Sequence, residues 1–286
     1  LAAILVSPPV VLAVVRGNND LVIFVLLAVC GAVLAGENKY RWLVAALGIG
    51  LATGLKYYPV VAVLALLWFR PVRQVPVVFG AGLLVAGLAL VSVLPDLNHA
   101  PLAVPAGIHT MGAPVWWRDF GWTDAQARIP AVLLFVAAGV LLIRTGVTAG
   151  LATRGEPRER VLAVTSISLL LACFISGVNY SYRWIFVVWV ALWLWRRAGE
   201  QLPGRQHYAA VIACGLVFIS IWADGVLCLV VNQLPPKSPA WIEHLLLVHR
   251  AWTQPLQWLL MALLAGWLLE AVLALGREWR AQRTAA

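Results

Sequence analysis

Charge is what this sequence has least of. Only 12% of its 286 residues are charged, against 62% hydrophobic and a mean hydropathy of +0.88. A soluble globular domain carries about a quarter charged residues and is apolar over about half its length, so that class is excluded and an integral membrane protein remains. Acids are scarcer than bases, 12 against 21. No Asp-x-Asp pair occurs anywhere, and Glu37, Glu156, Glu159, Glu200, Glu270 and Glu278 stand apart from one another. That argues against metal-assisted binding of a nucleotide diphosphate on the side where these acids fall. The four cysteines, Cys30, Cys173, Cys214 and Cys228, lie inside apolar runs without ligand spacing and read as small buried hydrophobes. His99, His109, His244 and His249 are dispersed at no zinc-like spacing, so the reading calls for no metal and no cofactor, while leaving one of them free to touch a phosphate or act as a base.

There is no fixed-period repeat, low-complexity linker or shift in composition, and residues 1–286 read as a single transmembrane domain. The chain opens at Leu1 inside an apolar run, unlike a signal peptide, and is read as lacking an N-terminal part. Apolar runs near 1–15, 20–36, 42–55, 57–69, 75–94, 129–149, 161–178, 184–195, 208–231 and 255–275 give an all-α polytopic helical bundle of about nine or ten spans, several of them short.

Loop charge orients such a chain. Fourteen of the 21 Lys and Arg fall on one set of connections, among them Lys39, Arg41, Arg70, Arg73, Arg196, Arg197 and the tail from Arg277. Arg16, Lys56, Arg118, Arg128, Arg183, Lys237 and Arg250 fall on the other. The first set is assigned to the cytoplasm together with the C-terminus. "RGNND" at 16–20, "LKYYP" at 55–59, the loop 95–128, "NYSYRW" at 179–184 and the loop 232–254 then emerge on the extracytoplasmic side. Any chemistry converges there.

Lys56 and Arg183 each stand at the outer end of an apolar run, as snorkelling anchors or as ligands for an anion. Pro59 starts the next helix beside Lys56, and a helix N-terminus itself attracts anions. Arg183 has the fork geometry that suits phosphate. Arg16 is a third cation of this layer. Asn19 or Asp20 suits an N-cap, and Asn18, Asn19 and Asp20 also offer the donors and acceptors that sugar hydroxyls need. Tyr180, Tyr182, Trp116 and Trp117 add aromatic surface to the same face. Asp119 and Asp124 read as solvated loop carboxylates. Asp224 lies inside an apolar run and requires a cationic partner, with Arg183 and Lys56 the natural candidates. "PAWIEHLLLVHRAW" at 239–252 reads as a helix lying in the outer interface.

Read together, "SPPVVLAVVRGNNDLVIFVLL", "GLATGLKYYPVVAVLALLW" and "GVNYSYRWIFVV" resemble the membrane-embedded glycosyltransferases of family 87 in matching order over about residues 7–190. The resemblance implies a GT-C fold and a multi-pass cell-membrane enzyme acting on the extracytoplasmic face. It implies transfer of a sugar, mannose-like, from a polyprenyl-phosphate donor to a glycolipid or glycan acceptor with inversion, and membrane lipids but no nucleic acid as partners. It maps donor phosphate binding to Lys56, Arg183 and Arg16, and sugar or acceptor contacts to Asn18, Asn19, Asp20, Tyr180 and Tyr182. It also implies a catalytic carboxylate in an early extracytoplasmic loop, for which Asp20 is the substitute candidate here, and an aspartate where Ser181 stands. The alternative class, a secondary transporter or lipid flippase, predicts inverted repeats with helices broken near the midplane, whereas the polar residues here gather at one face.

Overall fold

The computed structural model describes residues 2–99, 110–118, 120–150, 154–177, 179–233 and 239–284. Along the chain come α1 (Ala2–Leu5), α2 (Pro8–Val15), α3 (Asn19–Leu34), α4 (Arg41–Leu55), the 3-10 segments Tyr58–Trp68 and Val72–Gln74, and α5 (Val75–His99). Strand β1 (Thr110–Met111), α6 (Pro114–Arg118), α7 (Asp124–Arg144) and α8 (Pro157–Ser176) follow. Strand β2 (Asn179–Tyr180), a 3-10 turn Ser181–Phe186, α9 (Val187–Ala198), α10 (Gly204–Gln233) and α11 (Pro239–Thr284) complete the order. The all-α polytopic class holds.

The expected nine or ten spans do not transfer one for one. Among the described residues, five helical stretches are long and apolar enough to cross a membrane: Val72–Pro95, α7, α8, α10 and Trp241–Gln282 within α11. The pair α2 and α3 qualifies together but bends by 110° at its break, which makes up to six. The reason is length. Helix α9 has 12 residues, about 18 Å at 1.5 Å per residue, against about 30 Å of hydrocarbon. The eleven residues Tyr58–Trp68 gain reach from their tighter winding, since a 3-10 rise of about 2.0 Å stretches them to about 22 Å. At the other extreme, the 46 residues of α11 extend about 69 Å. Residues 239–252, expected as a separate interfacial helix, are the first part of α11, and Pro255 inside it does not end it.

Local chemistry sets the ends. Pro157 opens α8 behind Glu156, and Thr123 with Gln126 forms a capping box at α7. The corner between α2 and α3 is built from the residues that broke the apolar pattern. Gly17 adopts φ 55°, its N–H bonds to the Val14 carbonyl and the Asn18 N–H reaches the Ala13 carbonyl, which together close α2 as a Schellman motif. Asn18 then caps α3 by accepting from the Asp20 N–H. The N-cap is therefore Asn18, not Asn19 or Asp20, because the chain has to finish one helix before the next can start.

Helix α8 runs through the centre. Every residue from Ala163 to Leu171 is buried, which matches a sequence apolar on all sides. It packs against α3, α9, α11 and the 3-10 segment Tyr58–Trp68. Its buried Ser166 accepts from the Val190 N–H at 3.3 Å and donates to the Phe186 carbonyl, tying the start of α9 to the core. Cys30 and Cys173 are buried, as small hydrophobes would be, and Cys214 and Cys228 are half-buried.

Gly17→Ala tests the corner. A Cβ there meets nothing within 4 Å, so the change is purely conformational and costs about 1–2 kcal/mol. Gly80→Ala on α5 also meets open space, at ordinary helical backbone, and leaves stability equal or slightly raised. Thermal melts of the two variants in one detergent separate these outcomes.

Candidate functional site

The corner delivers Asp20 into the first turn of α3, fully enclosed at 0% exposure. An isolated buried carboxylate would be strongly disfavoured. Three other segments answer it. Lys56, the C-cap of α4, places Nζ 2.5 Å from Asp20 Oδ1 and 2.9 Å from Asn18 Oδ1. Tyr58, at the start of the 3-10 segment, donates its hydroxyl to the same Oδ1 at 2.7 Å. Arg183 brings Nε to 3.9 Å from Asp20 Oδ2.

Arg183 is positioned in turn. Its Nη1 donates to Asn179 Oδ1, and Asn179 Nδ2 donates to the Gly177 carbonyl at 2.9 Å and to the Cys173 carbonyl. The guanidinium lies 4.7 Å from the Tyr58 ring centroid, and Lys56 Nζ lies 5.7 Å from that of Tyr182, so aromatic faces shield both cations. The cluster holds two cations and one anion. Among the described residues Lys56 Nζ makes two hydrogen bonds with its three N–H groups, and its side chain is 23% exposed. Asp20 Oδ2 and Arg183 Nε face each other without a hydrogen-bond partner among the described residues.

A second polar cluster sits on α10 and α11. Asp224 Oδ1 lies 3.1 Å from His249 Nε2, both side chains nearly buried. The intramembrane carboxylate thus takes His249 as its partner, in place of the expected Lys56 or Arg183, which Asp20 engages. Thr253 donates to the His249 carbonyl at 2.8 Å. Thr110, Asp224, His249, Arg250, Thr253, Gln254 and Gln257 line a polar pocket of roughly 10 Å³, room for about one water. His249 also lines a larger apolar groove of roughly 400 Å³ between the two helices, walled by Phe218, Trp222, Val226, Val248 and Trp252.

The two clusters are joined by backbone. Thr110 of the polar pocket pairs with Tyr180, and Met111 with Asn179, the residue that holds Arg183. The pairing needs glycine beside it: Gly112 has φ 137° and a Cβ there would sit 2.2 Å from the Gly177 carbonyl oxygen. An aromatic block lies next to it. Trp117 stacks on Trp122 at 4.7 Å and meets Trp258 edge-on at 6.5 Å, and Trp258 packs on Phe135 and Phe174. Trp116 lies 6.4 Å from Trp117.

The structure therefore brings together Asn18, Asp20, Lys56, Tyr182 and Arg183 of the residues singled out in the sequence. Arg16 and Asn19 are exposed at the rim of the corner, and Trp116 and Trp117 belong to the aromatic block. The side chains of Tyr180 and His99, and residues Asp119 and His109, lie outside what the structure describes. Asp124, read as a solvated loop carboxylate, is salt-bridged to Arg118 Nε at 2.7 Å. Tyr58 and Asn179 are contributors that the sequence pattern did not single out, and His249, one of four histidines named there as a phosphate contact or base, was not expected as the partner of Asp224. One signal was present for His249: a carboxylate inside a span demands a proton-bearing partner, and His249 is in the next helix. Among the described residues no group of three or more His, Cys, Asp or Glu gathers as a metal site would.

Lys56 and Arg183, held by one carboxylate, thus form a cationic centre at one end of a multi-pass helical bundle. The model of glycosyltransferase family 87 matches residues 1–177, more than half of the chain, and the protein belongs to that family. It is a membrane glycosyltransferase. The match takes in Asn18, Asp20, Lys56 and Tyr58 and stops just before Asn179 and Arg183. No curated protein and no solved structure matches the chain.

Removing the carboxylate leaves two cations against each other. Asp20→Ala is expected to destabilise by about 3 kcal/mol or more, as loss of one partner from a buried ion pair does. Asp20→Asn with Lys56→Met recovers part of that loss. A double-mutant cycle read by thermal unfolding checks the coupling.

Proposed function

We propose that the protein transfers a sugar, mannose or a close relative, from a polyprenyl-phosphate donor to a glycolipid or glycan acceptor at the extracytoplasmic face of the cell membrane, with inversion. The observation that carries this is the convergence of Lys56 and Arg183 on Asp20 at the membrane end of α3 and α4. The reaction forms a bond from the acceptor oxygen to the anomeric carbon and breaks the bond from that carbon to the phosphate oxygen. The electron pair leaves on the phosphate, and the acceptor proton goes to a base. Charge grows on the phosphate in the transition state, where fixed donors matter most. Lys56, with an N–H to spare, and Arg183 are the donors for it, with Arg16 at the rim as an entry contact.

In this reading Asp20 is a positioning residue. Its Oδ1 already accepts two hydrogen bonds and its carboxylate is closed to solvent, a poor setting for taking a proton from an incoming hydroxyl. His249, oriented by Asp224, has the chemistry of a base and borders the groove between α10 and α11. That groove suits an isoprenoid chain: apolar along its length, polar at the His249 end. Asn18 and Tyr182 are the sugar or acceptor contacts nearest Lys56, with Asn19, Tyr180, Trp116 and Trp117 around them. The fourteen-to-seven distribution of basic residues supports a cytoplasmic C-terminus.

The test is transfer of radiolabelled mannose from polyprenyl-phosphate-mannose to membrane glycolipid, in membranes expressing the complete reading frame. Lys56→Ala and Arg183→Ala are expected to lower transfer at least about 100-fold at unchanged protein level, the size of effect seen when a transition-state donor is removed. His249→Asn is expected to lower the maximal rate more than the donor KM. Absence of transfer from every polyprenyl-phosphate sugar would overturn the proposal.

A further inference from the structure

The opposite end of the bundle carries a second arrangement that the transfer reaction does not use. Helix α4 starts there at Arg41 and runs away from it to Lys56. Arg41 Nη2 donates to the Arg70 carbonyl at 2.7 Å and its guanidinium lies 4.9 Å from the Phe69 ring. Arg70 Nη2 pairs with Glu278 of α11 at 2.8 Å, and Arg160 at the start of α8 is within electrostatic reach of both. Arg73 stands exposed one residue past Val72. Arg41, Arg70 and Arg160 thus gather near Glu278, and the exposed Arg73 follows three residues after Arg70, so bases outnumber this acid here.

Beside this cluster opens an apolar groove of roughly 270 Å³ between the start of α5 and the last turns of α11, with Val72, Phe79, Val272, Leu275, Gly276 and Trp279 on its walls. The same two helices carry exposed apolar surface, Val77 at 72% and Leu273 at 43% exposed. A Cβ on Gly276 would meet nothing within 4 Å. The cleft is thus open at that position. An apolar slot beside a cluster rich in arginine is complementary to one kind of membrane molecule: an acyl chain attached to a negatively charged headgroup.

We propose that this groove holds an acyl chain of an anionic glycerophospholipid whose phosphate lies against Arg70 and Arg73. Neutral lipid fits the slot but gains nothing from the arginines. The site is distinct from the transfer centre, which lies at the other end of α4.

The probes are dioleoyl phosphatidylglycerol and dioleoyl phosphatidylcholine, added in equal amounts to the purified protein in detergent, with retained lipid counted by native mass spectrometry. Phosphatidylglycerol is expected to be retained at least fivefold over phosphatidylcholine, a preference of about 1 kcal/mol. Arg73→Gln, at an exposed position, is expected to reduce that preference at least twofold. Gly276→Leu, which fills the slot, is expected to abolish retention, while Gly215→Leu on α10, which also meets open space, leaves it intact. Equal retention of the two lipids, or full retention of phosphatidylglycerol by a folded Gly276→Leu protein, would overturn the proposal.

Discussion

The structure turns on one buried carboxylate. Asp20 is out of contact with solvent, and such a group is tolerated only if charges and donors meet it. Meeting it requires the end of α4, the start of the Tyr58–Trp68 segment and the turn after α8 to arrive at one point. A membrane interior offers little hydrophobic reason for these helices to choose one another over lipid. The ionic cluster supplies a reason, and it fixes their register as well as their order. The same bond that orders the bundle end therefore holds Lys56 and Arg183 side by side, an arrangement that would fly apart without the anion between them.

From that constraint the functional reading follows in steps. Two cations restrained by one anion leave an excess positive charge, with N–H groups unused among the described residues, and the proposal places this charge at the membrane face where transfer occurs. Through Asn179 and the paired strands β1 and β2, the same centre is tied to the pocket holding Asp224 and His249. The cationic centre, the histidine held by a carboxylate and the apolar groove beside it are linked in this way. The catalytic division of labour proposed above assigns one step to each.

Much of this was legible in the sequence, and what was not has physical causes. The class came from charge scarcity and from apolar runs, and Lys56, Arg183 and the Arg16–Asp20 stretch stood out because polar residues are costly where they lie. Which residue capped α3 was misjudged, since Gly17 and Asn18 are shared between the end of one helix and the beginning of the next. Fewer helices reach spanning length than there are apolar runs, because hydropathy registers a 12-residue helix and a 20-residue helix alike. The partner of Asp224 was missed because contact between α10 and α11 is tertiary, and no spacing along the chain announces that a histidine 25 residues away will lie at 3.1 Å. Tyr58 was overlooked for a similar reason: its hydroxyl bonds to Asp20, 38 residues earlier in the chain, after Lys56 leaves α4 in an extended conformation.

The central claim is that the Lys56 and Arg183 pair recognises the phosphate of a lipid-linked sugar, and binding without chemistry tests it most directly. Purified protein would be titrated with polyprenyl phosphate and, separately, with the matching polyprenol, for the wild type and for Lys56→Met. The account predicts that the phosphate strengthens binding at least tenfold, about 1.4 kcal/mol, and that Lys56→Met erases the difference while the protein stays folded. Equal binding of the two lipids by the wild type, or a phosphate preference that survives Lys56→Met unchanged, would contradict it.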